Sequence, residues 1–378
     1  MNMEKPPQAM SLFELLARRW SLGAPVWLVL ANAAGNAVVA LQEDGRLAFL
    51  RIEDAESPEK RLRMELDSGR MTIRPREQPL PAPVLSEGPV AAPDLPVVRC
   101  GEQGFAFVHA RGSEVWHATA RGQLLRKATL NGVAITALAA RPQAQQLVVA
   151  QEGGQVTLLS EEWGEVIATS TLAHPVARLA ISADGARIAC WGPGQVTILR
   201  GDLTAEAQVA VEGSALTLAF SPDGRWLAGG CAEKALFLVD LAAGQADRIV
   251  DFPDAVKTAA FCGASNALIA SGAYRVVGWQ GPDLPFGDYG GTALSTGRPG
   301  LIPVEVLAPQ PGRALCAVGY ANGLVVLGRI GERDELMLAE GQGQPVTALA
   351  WTQDGAHLAM GGADGSVAIA TFPKTMFK

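Results

Sequence analysis

A segment of about forty residues recurs along the chain, and this repeat limits the fold more than any other feature. The last copy begins at Pro345 and holds three apolar segments, VTALAW (346–351), HLAM (357–360) and SVAIA (366–370), separated by turn-forming residues. Matching units begin at Pro25, Pro96, Ala134, Pro175, Ser214, Ala255, Pro303 and Pro345. The pattern predicts a chain built from copies of one small β unit.

Turn residues fall at the same place in several units, independently of the apolar pattern. After the first apolar segment, three units carry Asp-Gly, at Asp184, Asp223 and Asp354. Glycine recurs before the third segment, at Gly45, Gly154, Gly323 and Gly365. Hairpin turns need positive φ, which glycine adopts without steric cost. Each unit is therefore predicted to be one antiparallel sheet, and we expect the aspartates to cap local backbone amides.

A lone sheet of this size cannot cover its own apolar faces, so neighbouring units must pack on it. Closing the units into a ring gives an all-β propeller of four-stranded blades, spanning 1–378 as a single domain. Eight units predict eight blades, with seven as the alternative; a sandwich or an open solenoid is the other architecture that we weighed. Because the last unit supplies only three strands, Leu15–Leu22 is predicted to pair with Val367–Phe372 and close the ring.

Two insertions interrupt the spacing. Glu56–Leu95 contains a basic stretch, Lys60–Arg76, followed by a proline-rich one, and part of it, Arg61–Leu66, could be the outer strand of blade one. Gly281–Gly300 carries aromatic and charged residues. Long loops on a rigid scaffold often carry function, although a solvated loop is an equal alternative.

The amino-acid composition limits the kinds of partner that the protein can bind. The 378 residues include 31 Lys+Arg against 38 Asp+Glu, which gives a net charge of −7. Because binding a nucleic acid requires a basic face to neutralise its phosphates, no nucleic-acid partner is expected. The apolar run Trp20–Ala31 follows two arginines but is too short and interrupted to span a membrane. Five cysteines at scattered strand positions predict buried free thiols and a cytoplasmic protein.

The segments FSPDGRWLAGG (220–230), LFLVD (236–240) and MGGADGSV (360–367) resemble the WD-repeat propellers, and the resemblance extends from residue 12 to 372. It implies a propeller fold and a role in protein interaction. The Trp-Asp dipeptide and the Gly-His pair of the family are largely absent, and Val239-Asp240 is the nearest match. The buried Asp–His–Ser/Thr–Trp network of the family is therefore expected to be incomplete in every blade.

Motifs for catalysis, cofactors and metals were sought, and none is predicted. The four histidines, His109, His117, His174 and His357, do not fit a common zinc spacing. The tryptophans do not recur at one repeat position, and Trp226 and Trp351 fall on predicted core strands. No Cys-x-x-Cys, nucleophile elbow or P-loop is present.

The sequence therefore predicts a non-enzymatic scaffold for a protein or peptide partner, as a subunit or adaptor of a larger complex. The alternatives are a propeller enzyme acting at the channel mouth and a weak anionic-ligand binder through Lys60–Arg76. One rim, mixed to acidic and suited to a basic or mixed partner segment, is predicted to carry Asp44, Glu152, His174, Glu233, Arg275, Asn322 and Asp364. The second insertion adds Phe286, Asp288, Tyr289 and Arg298 as partner-binding candidates.

Overall fold

Eight four-stranded antiparallel sheets form the structure, which confirms the eight-bladed propeller predicted from the repeat. A computed structural model describes residues 10–64, 71–162 and 164–377. In blades one to seven the strands follow one another in chain order from the centre outward, and in blade eight the N-terminal strand takes the outermost place. The innermost strand of each blade contacts the innermost strands of both neighbouring blades. These contacts run around the whole ring, so the seven-bladed alternative is wrong.

The chain enters through a short helix and a strand before it forms blades one and two. These first elements are α1 (Leu12–Leu16) and β1 (Ala17–Ser21). Blade one consists of β2 (Val26–Ala31), β3 (Ala37–Gln42), β4 (Leu47–Arg51) and, after a separate hairpin of β5 (Leu62–Met64) and β6 (Met71–Ile73), β7 (Val84–Leu85). Blade two consists of β8 (Val98–Cys100), β9 (Gly104–Val108), β10 (Glu114–Thr119) and β11 (Leu124–Thr129).

The next three blades follow the repeat closely. Blade three is β12 (Ile135–Arg141), β13 (Gln146–Gln151), β14 (Gln155–Ser160) and β15 (Val166–Thr171). Blade four is β16 (Arg178–Ile181), β17 (Arg187–Gly192), β18 (Gln195–Arg200) and β19 (Ala205–Ala210). Blade five is β20 (Ala219–Phe220), β21 (Trp226–Cys231), β22 (Ala235–Asp240) and β23 (Gln245–Ile249).

The last three blades complete the ring. Blade six is β24 (Ala259–Cys262), β25 (Ala267–Ala270), β26 (Val276–Gln280) and β27 (Thr292–Thr296). Blade seven is β28 (Val304–Pro309), β29 (Leu315–Tyr320), β30 (Val325–Arg329) and β31 (Glu335–Ala339). Blade eight is β32 (Val346–Trp351), β33 (His357–Gly362) and β34 (Ser366–Thr371), with β1 as its fourth strand. Two 3-10 turns, Pro58–Arg61 and Pro142–Ala144, lie outside the blades.

The ring closes through the N-terminal strand. β1 pairs antiparallel with β34, from Ala17 opposite Ala370 to Ser21 opposite Ser366. The strand is shorter than the predicted Leu15–Leu22, because its first residues belong to α1. Ser11 and Glu14 form a capping box that starts this helix one turn before the strand.

The outer strand of blade one differs from the predicted one. β7 takes that place, pairing with β4 only at Ala48 and Phe49. The predicted strand Arg61–Leu66 instead contributes β5 to the separate hairpin, and Leu66 itself lies outside the described residues. The proline-rich stretch that follows delays the outer strand until Val84, because proline cannot donate to a strand ladder.

Blade two begins earlier than the predicted Pro96. In blade one, Val26 pairs with Gln42, and Glu43 donates its N–H to the Pro25 carbonyl. The equivalent contacts in blade two are the bridge between Ala91 and His109 and the hydrogen bond from Ala110 to Val90. The first strand of this blade is then interrupted by a turn at 92–95, which hides its start in the sequence pattern.

The repeated turn residues have the predicted roles. Asp184, Asp223 and Asp354 each accept an N–H from the residue two positions on. The recurring glycines have positive φ, and at Gly154 a Cβ would lie 2.5 Å from the carbonyl oxygens of Leu172 and His174. Any larger residue there would push the turn away from the connection that it contacts.

The core is divided among the junctions between blades. Each of the eight apolar clusters joins two neighbouring blades, as the inter-unit packing argument requires. Trp226 and Trp351 are buried in these clusters, with their indole N–H groups bonded to the carbonyls of Pro282 and Ala308. The tryptophans thus pack as predicted.

Candidate docking face

Two sets of turns define two faces of the ring. We call the face with the turns between second and third strands, and with the connections between blades, the upper face. The other turns form the lower face. The two parts of the upper face are tied by one recurring hydrogen bond, from the first residue of the turn to the residue before the first strand or, in blade five, to the residue before the bridge between Ala215 and Cys231. This bond joins Glu43 to Pro25, Glu152 to Ala134, Ala232 to Ser214, Ala321 to Pro303 and Ala363 to Pro345.

A β-bulge recurs where the first strand leaves the upper face. In four blades the second residue of that strand has no partner in the ladder, and these residues are Trp27, Thr136, Glu305 and Thr347. A bulge re-aims the side chain of its extra residue. The bulges therefore place a set of side chains at the upper mouth of the central channel.

Most of these bulge side chains link one blade to the next. Thr136 donates to the Val176 carbonyl at 2.5 Å, and Thr347 donates to the carbonyl of Val26. Glu305 pairs with Lys257 of blade six. Trp27 makes no such link and is 56% exposed. An unbonded, exposed tryptophan at the channel mouth is available to a partner.

Among the turns, connections and bulges of the described residues, exposed large apolar side chains lie mainly on the upper face. Those of the upper face are Trp27, Val133, Leu216, Val250, Tyr274, Leu301 and Ile302. Most of the others lie on outer strands, at Val84, Leu85, Leu125, Val166, Ile167, Leu336 and Met337. The lower-face turns present Tyr289. Clustered apolar exposure marks an interaction surface better than scattered single residues do.

The structure brings six of the predicted rim residues together on the upper face. Asp44, Glu152, Glu233, Arg275, Asn322 and Asp364 all lie in turns between second and third strands. Glu152 and Glu233 are exposed, whereas Arg275 and Asn322 are half-buried. The predicted positions on one rim are therefore found, while their role in binding stays a prediction.

Several rim carboxylates are engaged within the protein. Asp44 pairs with Arg46 at 2.6 Å, and Asp364 pairs with Arg19 of the closing strand at 2.8 Å. Hydrogen bonds from Ser214 hold the pKa of Glu233 below its usual value. Partial burial acts against the shift at Asp364, but bonds from Ser366 and Arg19 still leave its pKa lowered. The net attraction of this rim for a basic segment is thus weaker than its composition implies.

The histidines do not converge on one site. His174 is buried below the rim, with Nε2 2.8 Å from Thr197 Oγ1 and Nδ1 2.8 Å from the Pro175 carbonyl. It therefore cannot present its ring to a partner as predicted. His357 bonds Thr371 Oγ1 at the lower end of blade eight, and His109 lies in an upper-face turn. Burial lowers the pKa of His117 and of His357.

The second insertion lies mainly on the lower face. Phe286, Asp288 and Tyr289 belong to the long turn between β26 and β27. Phe286 packs on Trp226 with ring centroids 5.6 Å apart, and Asp247 accepts the N–H of Gly287 at 2.6 Å. Tyr289 is 49% exposed and Asp288 is exposed, so these two remain accessible. These three residues are separated from the predicted rim.

Arg298 follows in the connection from blade six to blade seven, apart from the long turn. It is exposed, and its main-chain N–H donates to the Glu335 carboxylate at 3.2 Å. Gly297 donates to the Glu332 carbonyl at 2.9 Å, so Arg298 lies at the outer end of this connection, beside the turn between β30 and β31. The connection reaches the upper-face turn of Tyr274 two residues later, at Gly300.

The first insertion folds into an internal clasp, which we define as residues 54–62 and 71–78. Arg61 is 3% exposed and donates to the carbonyls of Glu56 at 2.9 Å, Arg74 at 2.7 Å and Leu15 at 2.6 Å. Arg76 pairs with Asp54 and Glu56. Arg61 and Arg76 are thus bound within the protein, and the proposed anion-binding role of Lys60–Arg76 would rest on the other basic residues of that stretch. Glu65, Asp67 and Arg70 lie outside the described residues.

Sequence reasoning missed the strongest features of the upper face. None of the predicted partner-binding residues is one of Trp27, Leu216, Tyr274, Leu301 and Ile302, although each places a large apolar side chain in or beside a turn, where polar residues are usual. In the sequence, Leu301-Ile302 directly follows the predicted insertion and precedes Pro303.

Among described residues, no three of His, Cys, Asp and Glu are grouped as metal ligands would be. The helices described are too short and too polar to cross a bilayer.

Comparisons with known proteins agree with this architecture. The family model for the WD domain, G-beta repeat, matches residues 336–369, which include the outer strand of blade seven and most of blade eight. The fold resembles a chain in the crystal structure of a mitotic checkpoint complex, with a TM-score of 0.57 and 15% identity over 79% of this chain and 100% of that chain. No curated protein matches the sequence.

The closed ring of four-stranded blades defines an eight-bladed β-propeller, and the match of residues 336–369 to the WD-repeat family model confirms the resemblance found in the sequence. Proteins of this family generally serve as non-enzymatic interaction scaffolds.

Proposed function

We propose that this chain is a non-enzymatic scaffold whose upper face docks a protein partner, and that it works as a subunit or adaptor of a larger complex. The observation that carries the proposal is that the upper-face turns and connections carry exposed large apolar side chains, with Trp27 at the channel mouth, whereas the described lower-face turns present Tyr289. Aromatic and aliphatic anchors ringed by polar residues are typical of protein interfaces.

The channel mouth is suited to rigid docking. Cross-blade bonds from Thr136, Thr347 and Lys257 fix the first strands at this level, so the surface around Trp27 is already ordered before a partner arrives. A preformed surface avoids part of the ordering cost of association. The matched solved structure is itself a complex, and a place in an assembly suits a propeller with such a face.

Five cysteines without disulfides suit a reducing compartment, and we propose the cytoplasm as the location. A propeller enzyme acting at the channel mouth would need His or carboxylate side chains converging there. Glu305 is the carboxylate among the bulge residues, and it is paired with Lys257. The scaffold proposal accounts for the exposed tryptophan, which the enzyme alternative leaves unexplained.

The test is partner capture from the native host with matched baits. Wild-type protein should retain a specific partner, and the Trp27→Glu/Leu216→Glu variant should lose it, since both side chains are exposed and their replacement leaves the core intact. Tyr289→Glu, which changes an exposed aromatic residue on the lower face, should capture as well as wild type. Loss through Tyr289→Glu, with retention by the upper-face variant, would contradict the proposal.

A further inference from the structure

One sector of the upper face, between blades six and seven, combines an apolar surface with unpaired positive charge. It consists of Tyr274, Arg275, Arg298, Leu301 and Ile302, and we call it the blade 6–7 sector. Leu301 is 88% exposed, Tyr274 45% and Ile302 36%. Leu301 has the highest exposure of the large apolar side chains in the described part of the chain.

Two main-chain hydrogen bonds make this sector one surface. Gly300 donates to the Tyr274 carbonyl at 3.1 Å, and Val304 donates to the Ala273 carbonyl at 2.8 Å. They hold the connection that carries Leu301 and Ile302 against the turn that carries Tyr274. The apolar side chains are therefore exposed from an ordered backbone and form a neighbouring set.

The charge of the sector differs from that of the rest of the rim. Neither Arg275 nor Arg298 has a carboxylate within ion-pair distance among the residues that the structure describes. The nearby carboxylates are bonded to main-chain groups: Asp254 accepts the Ala255 N–H at 2.8 Å, and Glu335 accepts the Arg298 N–H. By contrast, Asp44 and Asp364 have arginine partners.

From this arrangement we propose that the blade 6–7 sector binds an acidic segment with apolar anchors, contributed by the protein that docks on the upper face. The inference rests on the proposed function and specifies the chemistry of the partner. Arginine guanidinium groups bind carboxylates in a bidentate way, and tyrosine and arginine dominate interface energetics. An acidic segment is thus favoured here, in contrast to the basic or mixed partner predicted for the rim as a whole.

The test uses two labelled synthetic peptides of about ten residues. One repeats Leu-Ala-Glu-Ala and the other repeats Leu-Ala-Lys-Ala. Every second side chain of an extended peptide points to the same side, so each peptide presents Leu and its charged residue on one face. Fluorescence anisotropy should show the acidic peptide binding wild-type protein at least tenfold more tightly than the basic one. The Arg275→Glu/Arg298→Glu variant should lose this preference, and Leu301→Ala should weaken the acidic peptide about tenfold.

The matched control is Arg121→Glu, which reverses an exposed arginine in a lower-face turn of blade two, on the other side of the ring. It should bind the acidic peptide as wild type does. Equal binding of both peptides would overturn the inference, because the arginines would then confer no preference for acidic segments. An equal loss in the Arg121→Glu variant would also overturn it, since nonspecific charge attraction would then account for binding. A wild-type dimer in sedimentation that Leu301→Glu dissociates would also overturn it, because a second copy would then cover the sector.

The experiments distinguish a wrong inference about the blade 6–7 sector from a wrong proposed function. A protein that captures its native partner through Trp27 and Leu216, but ignores the acidic peptide, contradicts only the inference about the blade 6–7 sector. A protein that binds the acidic peptide through Arg275 and Arg298, but captures its native partner through the lower face, contradicts the proposed function.

Discussion

The guanidinium group of Arg61 donates to the carbonyl oxygen of Leu15 at 2.6 Å, across 46 residues of sequence. This bond joins the first insertion to the last turn of α1, directly before the strand that closes the ring. Arg18 on that strand adds bonds to the carbonyls of Ile52 at 2.8 Å and Glu53 at 3.3 Å. The clasp thus helps to hold the closing strand, and it is a structural element rather than a ligand loop.

Replacing this arginine should weaken the closure. Arg61→Ala removes three hydrogen bonds from a buried charged group and leaves their carbonyl acceptors without that partner, so we expect a loss of about 3 kcal/mol in the free energy of unfolding. Urea unfolding of the variant and of wild type measures this loss in the free energy of unfolding. Arg63→Ala, an exposed arginine of the same hairpin, is the control and should change stability by less than about 0.5 kcal/mol. Equal effects of the two changes would show that the clasp does not support the ring.

The two aromatic residues of the second insertion should behave differently. Phe286→Ala removes packing on Trp226 and should lower the free energy of unfolding by about 1–2 kcal/mol, because the ring is half-buried. Tyr289→Ala should leave stability within about 0.5 kcal/mol of wild type, since Tyr289 is 49% exposed. Thermal and urea unfolding of both variants measure the difference. A larger loss in Tyr289→Ala would contradict the packing seen here.

All five cysteines are free and buried, so they should react slowly with a thiol reagent in native protein. Burial raises the thiol pKa of Cys100 to about 11 and that of Cys190 to about 12, and a glutamate adds to burial in raising the pKa of Cys231 to about 11. Few thiolates therefore form at neutral pH. Titration should count five thiols after denaturation without reductant. A lower count would indicate a disulfide and an oxidising compartment.

Stability should fall as pH is lowered from 7 towards 5. Burial is the largest cause of the lowered pKa values of His117 and His357, so the unfolded chain takes up protons at these sites before the folded protein does. For a histidine with a depressed pKa, the stabilisation is complete above the unfolded pKa, near 6.5, and is lost as pH falls through the folded value. Urea unfolding at several pH values should show this slope.

The contributions of the two half-buried histidines, His117 and His357, can be tested by substitution. His357→Gln should reduce the slope of stability against pH, because it removes one of the shifted groups. His109→Gln, at a partly exposed turn, should leave the slope unchanged. An unchanged slope in a His117→Gln/His357→Gln variant would show that other groups control the acid response.

The repeat in the sequence was sufficient to predict the ring, because each blade is one copy of a local pattern. Asp184, Asp223 and Asp354 could be assigned from that pattern alone, since each caps amides within its own turn. The start of blade two at Val90 could not be assigned, because a turn interrupts its first strand. The outer strand Val84–Leu85 was missed because it is only two residues long and lies inside the proline-rich part of the first insertion.

The site was harder to predict than the fold. Positions such as Asp44 and Glu233 could be placed on one rim, since the turn that holds them recurs in every unit. Exposure and pairing depend on contacts between distant residues, such as Arg19 with Asp364 and His174 with Thr197, and no local pattern contains them. The exposed Trp27 results from a bulge, which adds one residue to a strand and does not show in an apolar pattern.

The most direct test of the upper face is oxidative footprinting of the protein with and without its co-purified native partner. Hydroxyl radicals modify accessible aromatic and aliphatic side chains, so Trp27, Tyr274 and Leu301 should all be labelled in the free protein. If the upper face docks the partner, labelling of these three residues should fall severalfold in the complex while labelling of Tyr289 stays constant. Protection of Tyr289, with Trp27, Tyr274 and Leu301 labelled as in the free protein, would contradict the account.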